Sequence, residues 1–202
     1  MLIPMKYPHH LKLLMEQLKK LPGVGARTAE RFSFEMLSWS ENDLLNLSAL
    51  VLHLKNKVLF CQECGCLIDE GACRFCSLER MQEKKLCITS SFKSVIAIDS
   101  TGLFKGMYHV LTHLISPLKG LGPDTLKVDQ LKERIKRMNI QEIVLALDST
   151  LEGDATALYL KRELAVTEAS ILRLATGIPM GSSLDLIDPA TLSRALIGRN
   201  LI

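Results

Sequence analysis

Apolar positions recur at two different periods along the chain, and the change comes near residue 85. Before it, the spacing is helical. Leu11, Leu14, Met15 and Leu18 follow one another at steps of three and four, which predicts an amphipathic helix over residues 9–20. The stretch LPGVG at 21–25 stops it with a proline and two glycines. A second helix is expected from Thr28 to Leu37, with Ala29, Phe32, Phe34 and Met36 at its apolar positions. A third is expected from Asp43 to Lys57, with Leu45 and Leu52 facing inward.

After residue 85 short apolar runs alternate with helical segments. KLCITS (85–90), MYHVLT (107–112), EIVLAL (142–147) and SILRLAT (170–176) read as strands. Residues 129–138 and 152–164 read as helices, the first with Asp129 as N-cap and Leu131, Ile135 and Met138 as its stripe. Strands alternating with helices predict an α/β domain with a mostly parallel sheet. Between them ISPLKGLGPDTLK (115–127) reads as one long loop, rich in proline and glycine.

Composition adds bounds. The 202 residues are 48% hydrophobic and 23% charged, as in an ordinary soluble protein with a sizeable core. No apolar run reaches the roughly 18 residues of a membrane span. The N-terminal apolar residues are spaced as on a helix and interrupted by lysines, unlike a signal peptide, so the cytoplasm is the expected compartment. A net charge of +3 does not mark a nucleic-acid binder by itself. Its excess does fall at the N-terminus, where residues 1–60 hold eight Lys and Arg against five Asp and Glu.

Three stretches carry candidate chemistry. In the first, Gly23 and Gly25 allow a tight turn between two helices. The backbone N–H groups of that turn and of the next helix then point outward together and can hold a phosphate oxygen. Lys19, Lys20, Arg27 and Arg31 stand close enough to add charge. The alternative is a helical hairpin used only for packing, its lysines a solvated face.

The second is CQECGCLIDEGACRFC. Cys61-x-x-Cys64 and Cys73-x-x-Cys76 have the spacing of a four-thiolate zinc site, and Gly65 permits the sharp turn of a knuckle. Four protein ligands leave no position for water or substrate, so such a zinc is structural. It would stabilise a segment too short to bury its own core. Cys66 has a C-x-C spacing that suits the turn less well, and Cys87 on a strand reads as an ordinary buried thiol. A reactive cysteine cluster without metal is the other reading.

The third is DSTLEGDAT, where Glu152 and Asp154 follow the strand EIVLAL. Ligands of open α/β sheets bind beyond the carboxyl ends of strands, and paired carboxylates there suit Mg²⁺. The end of the first strand, the natural source of a further acid, offers Thr89, Ser90 and Ser91 instead. The competing reading places both acids in a helix's first turn, where negative charge is favourable. Histidines are scattered, no phosphate loop or nucleophile elbow is present, and Tyr7, Tyr108 and Tyr159 lack a catalytic setting.

Taken in order, LPGVGARTAERFSF, the two C-x-x-C pairs, SPLKGLGPDTL and TLEGDATALYL resemble the RecR family of bacterial recombination proteins, over nearly the whole chain. The resemblance implies a multi-domain α+β chain. It comprises a helix-hairpin-helix DNA-binding domain (1–56), a zinc finger (57–80), a Toprim domain (81–176), and a C-terminal segment of loop and helix (177–202) expected to make an oligomer contact. It also implies a non-enzymatic mediator, cytoplasmic in a bacterium. Such a mediator binds DNA without sequence preference as a dimeric or tetrameric ring-like clamp. It acts with RecO, and in many bacteria RecF, to promote RecA loading on gapped or single-stranded DNA. Zinc is the implied cofactor. This chain departs from the family pattern at Ser90, where an acid is usual, at Asp148, where Asn is usual, and at His113, where Gly is common. With that acid set incomplete, the rival is a Mg²⁺-dependent Toprim nuclease or strand-passage enzyme using Glu152 and Asp154. Otherwise these two residues serve a weak Mg²⁺ site or a partner contact.

Overall fold

A computed structural model describes residues 7–175 and 177–199. The chain divides into two compact units, the first ending at Lys57 and the second beginning at Val58.

The first unit holds α1 (His9–Leu18), α2 (Ala26–Leu37) and α3 (Glu41–Lys57). α1 packs on α2 through Leu11, Met15 and Ala29, with Tyr7, Leu18 and Val24 against them. Small residues at the contact let the helices approach. Ala29 and Ser33 are fully buried, and the Ser33 hydroxyl donates to the Ala29 carbonyl (2.8 Å). Leu45 and Leu52 do not face inward: they are 58% and 74% exposed, and α3 buries no residue. Its apolar residues include Leu44, Leu45, Leu50, Val51, Leu52 and Leu54, which are spread around the helix rather than gathered in one stripe.

The second unit opens with a short antiparallel ribbon, β1 (Leu59–Phe60) with β2 (Leu67–Ile68), and the helix α4 (Leu78–Gln82). Then follow β3 (Lys85–Thr89), α5 (Phe92–Ser100), β4 (Met107–Val110), α6 (Val128–Arg137), β5 (Glu142–Ala146), α7 (Leu151–Leu164), β6 (Ser170–Arg173) and α8 (Pro189–Ile197). The four long strands form one parallel sheet in the order β4-β3-β5-β6. Strand order reverses between β3 and β5, so the crevice beyond their carboxyl ends is the expected ligand position of such a sheet.

The sheet is buried on both faces, which is why its central strands read as unbroken apolar runs. Leu86, Ile88, Met107, Ile143 and Leu145 join one cluster with Leu131 and Ile135 of α6 and Ala157, Leu160 and Leu164 of α7. Cys87, Tyr108 and Ala146 join a second with Val95 of α5 and with Cys64, Cys66 and Phe75 from the cysteine segment. The edge strand β4 is not left bare: Val110 N–H donates to the Cys64 carbonyl (2.8 Å).

Two local expectations are corrected. α6 is capped not by Asp129 but from Lys127, whose left-handed backbone (φ 49°, ψ 42°) turns the chain into the helix. Asp129 instead lies in the first turn, where its charge is favourable. The loop at 115–127 is ordered by two 3-10 turns, Pro117–Lys119 and Pro123–Leu126, and a bridge between Ser116 and Leu121. The expected strand and domain limit at Thr176 lies outside the described residues, as do the limits at residues 1 and 202. No helix among the described residues is long and apolar enough to cross a membrane.

Candidate functional site

The cysteine segment folds into two tight turns that face each other. In the first, Gly65 N–H donates to the Cys61 carbonyl and Cys61 N–H to the Cys66 carbonyl, both at 2.8 Å. In the second, Cys76 N–H donates to the Cys73 carbonyl (3.0 Å). Gly65 has φ +72°, and a Cβ there would stand 2.8 Å from the Val110 carbonyl, so both backbone sign and space demand glycine. The thiol sulfurs of Cys61, Cys64, Cys73 and Cys76 all lie within 4.8 Å of one another, and Cys64 and Cys73 are 3.5 Å apart. A tetrahedron with metal–sulfur arms of ~2.3 Å places sulfurs about 3.8 Å apart, so the donor set fits a zinc-type ion. Cys66 is buried beside this group but is not a member of it.

The electrostatics point the same way. Hydrogen bonds from the Cys66 and Cys76 thiols hold Cys64 far below the ordinary thiol range. Cys66 and Cys76 are in turn driven up, first by that bond to Cys64 and then by burial, and burial pushes Cys73 to about 11. These opposed directions show thiols crowded closely enough to disfavour one another's ionisation. Thiolates this close to one another need a metal to offset their repulsion.

Around the cluster stand two cationic groups that the sequence reading did not single out. Arg80 of α4 donates to Asp99 (2.5 Å) and to the Gly106 carbonyl (2.9 Å), and lies over the ring of Phe75. Arg134 of α6 is 3% exposed and donates to the Tyr108 carbonyl (2.9 Å) and toward Cys76 Sγ (3.7 Å). Nothing in the sequence separates these arginines from the surface arginines of an amphipathic helix.

In the first unit the turn between α1 and α2 is open. Gly23 has φ +80°, and a Cβ at Gly23 or Gly25 would meet nothing within 4 Å. Gly25 is the N-cap of α2 and has no side chain to cap with, so the first-turn N–H groups are left facing out. Val24 anchors the turn on the α1–α2 core. Arg27 and Arg31 are exposed, Arg31 lying 5.6 Å from the Phe32 ring centroid. Lys19 and Lys20, just past the end of α1, are also exposed, bonded to Glu16 (2.7 Å) and Gln17 (2.8 Å) of that helix.

The acidic stretch lies at the crevice beyond β3 and β5. Thr150 caps α7, accepting from Gly153 N–H (3.1 Å), and Glu152 and Asp154 sit in the helix's first turn. Ser90, at the end of β3, donates to Asp148 (2.9 Å). Residues from the ends of two adjacent strands thus meet across the crevice. Asp154 accepts from Arg173 of β6 on one oxygen and from Arg194 of α8 on the other (2.8 Å). The Arg173 hydrogen bond, with both guanidinium charges, holds the Asp154 carboxyl below its usual range. Gly153 allows the close approach, since a Cβ there would come within 1.9 Å of the Asp148 carbonyl oxygen. In this arrangement Asp154 joins the C-terminal helix to the sheet, and its two oxygens already serve cations. Arg173 and Arg194 were not legible in the sequence as its partners.

Three family models match the chain: the RecR helix-hairpin-helix at residues 11–54, the Toprim domain at 84–175 and the RecR C-terminal region at 177–200. Curated relatives match along nearly its full length. It is 50% identical over 196 residues to the recombination protein RecR of Protochlamydia amoebophila, covering 97% of this chain and 99% of the relative. The RecR proteins of Chlamydia felis and Chlamydia caviae are 46% and 44% identical over 198 residues, each covering 97% of this chain and 98% of the relative.

Proposed function

The chain belongs to the RecR family of recombination proteins, and we propose that within recombinational repair it is a DNA-binding mediator rather than an enzyme. It acts as an oligomeric clamp with RecO and RecF to promote RecA loading at gapped or single-stranded DNA in the bacterial cytoplasm. The observation that carries this reading is the open Gly23–Gly25 turn ahead of an uncapped helix N-terminus, with exposed Arg27 and Arg31 beside it. Backbone N–H groups and arginines recognise phosphate whatever the base, so the contact positions the protein without selecting sequence.

Cys61, Cys64, Cys73 and Cys76 would hold one zinc ion, whose chemistry there is to cross-link two turns and so fold the segment. The crevice supports a non-catalytic role. Ser90 takes the place of an acid, and Asp154 is held between two guanidinium groups rather than presented to a metal ion.

The test is a salt-titrated anisotropy measurement on gapped DNA of several unrelated sequences. Affinity is expected to fall steeply with salt as counterions are released. Arg27→Ala should weaken binding about equally on every sequence and lower the salt slope by about one. Affinity indifferent to both salt and Arg27→Ala would remove the hairpin from the interface. Mg²⁺-dependent nicking abolished by Glu152→Gln would replace the mediator with an enzyme.

A further inference from the structure

A buried guanidinium needs anions around it, because it cannot give up its proton. Arg134 has few. Its Nη1 donates to the Tyr108 carbonyl (2.9 Å) and faces His109 Nδ1 (3.2 Å). Burial, with Arg134 beside it, pulls the His109 imidazole down to about 4, so the ring is neutral at neutral pH. Arginine only donates, so Nδ1 carries the lone pair. Nη2 points at Cys76 Sγ (3.7 Å) and Met107 Sδ (4.0 Å). Nε is buried and makes no hydrogen bond, although Glu63 Oε1 lies 3.1 Å away. That one carboxylate oxygen is shared with Arg137.

A carbonyl, a neutral imidazole and a thioether bring no net charge. Among the described residues Glu63 is therefore the one carboxylate paired with Arg134, and it is divided between two arginines. A dication held by four thiolates carries two net negative charges, and Cys76 is one of those four sulfurs. Placement adds a second argument. Glu63 sits inside the first C-x-x-C turn and Cys76 closes the second, so one guanidinium touches both halves of the knuckle. The same residue lies on α6, which presents Leu131 and Ile135 to the sheet.

We propose that Arg134 is the counter-charge of the metal-bound four-cysteine cluster, and that metal occupancy is thereby coupled to the seating of α6 on the β4 edge. This rests on the reading of the cysteines as metal ligands. With an ion bound, the Cys76 thiolate is a strong acceptor for Nη2 and its charge offsets the guanidinium. Without the ion the two turns that carry Glu63 and Cys76 lose their cross-link, and Arg134 loses the fixed placement of both partners. Arg134 is thus a positioning residue for the centre, acting on it through one sulfur and one carboxylate.

The experiment begins with the zinc content of the full chain. A wild-type protein without metal overturns the ligand reading itself, before any variant is compared. Zinc release to a chromogenic chelator is then followed in Arg134→Met, Arg134→Lys and, as a control, Arg80→Met. The control loosens the same unit without removing a contact to a cysteine sulfur. Arg134→Met should release zinc roughly 10–100-fold faster. Arg134→Lys should fall between, and Arg80→Met should stay near the wild-type rate. In the cobalt-substituted proteins the sulfur-to-metal charge-transfer band should move in Arg134→Met alone, because only there does a thiolate lose its N–H donor. Release at the wild-type rate with an unmoved band overturns the proposal, as does equal acceleration in Arg80→Met. Hydrogen exchange on the wild-type chain needs no variant to fold. Stripping the zinc should unprotect α6 amides while those of α7 keep their protection, and equal behaviour of the two helices overturns the coupling.

Discussion

Gly153→Ala sets two effects of opposite sign against each other. Gly153 is the third residue of α7, and alanine favours a helix over glycine by about 1 kcal/mol. Propensity alone therefore predicts a more stable protein. The added Cβ, however, would stand 1.9 Å from the Asp148 carbonyl oxygen and 3.0 Å from its carbon. Both are backbone atoms just beyond β5, in the short connection to α7, and cannot rotate aside. Reaching ordinary contact at 3.4 Å means opening the strand–helix junction by 3.4 − 1.9 = 1.5 Å. That movement strains the Thr150 cap, which is worth ~1 kcal/mol, and overpacking of this kind costs ~1–3 kcal/mol. After the propensity gain is subtracted, the net is a loss of about 1–3 kcal/mol. For a chain of this size that lowers the melting temperature by roughly 3–10 °C. Thermal and urea melts of zinc-replete protein, followed by circular dichroism, measure it. A variant as stable as the wild type, or more so, would show that the junction has room and that the reasoning from close approach is wrong.

Two further outcomes are expected. Asp154 has a folded-state pKa depressed by Arg173 and Arg194, so its contribution is present above the unfolded carboxylate value near 4. It is lost as pH falls through the lower folded value. Both arginines are partly exposed, which limits the effect to about 1 kcal/mol or less. Asp154→Asn should thus flatten the acid limb of a stability–pH profile and raise hydrogen exchange in α8, and an unchanged profile would refute the latch. Arg80→Ala removes the 2.5 Å pair to Asp99 and the bond to the Gly106 carbonyl, leaving Asp99 the more exposed Arg74. It should lower the denaturant midpoint by an amount equivalent to ~2–4 kcal/mol, whereas Arg74→Ala should cost less than ~1 kcal/mol.

How much of this was legible differs from element to element, for physical reasons. The β3 and β5 runs were readable because a parallel strand buried on both faces has no polar positions to interrupt it. The four cysteines were readable because ligand spacing within a tight turn is a local property. The start of α6 was misread because Lys127 adopts a left-handed backbone that its residue type does not advertise. The inward face assigned to α3 failed because periodicity says which residues share a side, not whether anything covers it.

The acidic stretch shows the division most clearly. The sequence by itself determined that Glu152 and Asp154 begin a helix after a buried strand, that the first strand of the sheet ends in the hydroxyls Thr89, Ser90 and Ser91, and that Gly153 lies between the two acids. Those are matters of local pattern and chain order. Only the tertiary structure decided what the carboxylates do. Ser90 meets Asp148 from 58 positions away, Arg194 reaches Asp154 from 40 away, and Arg134 reaches Cys76 across 58. A charge finds its partner through folding, and in a linear chain the arginine that will be buried looks like the one that will face water.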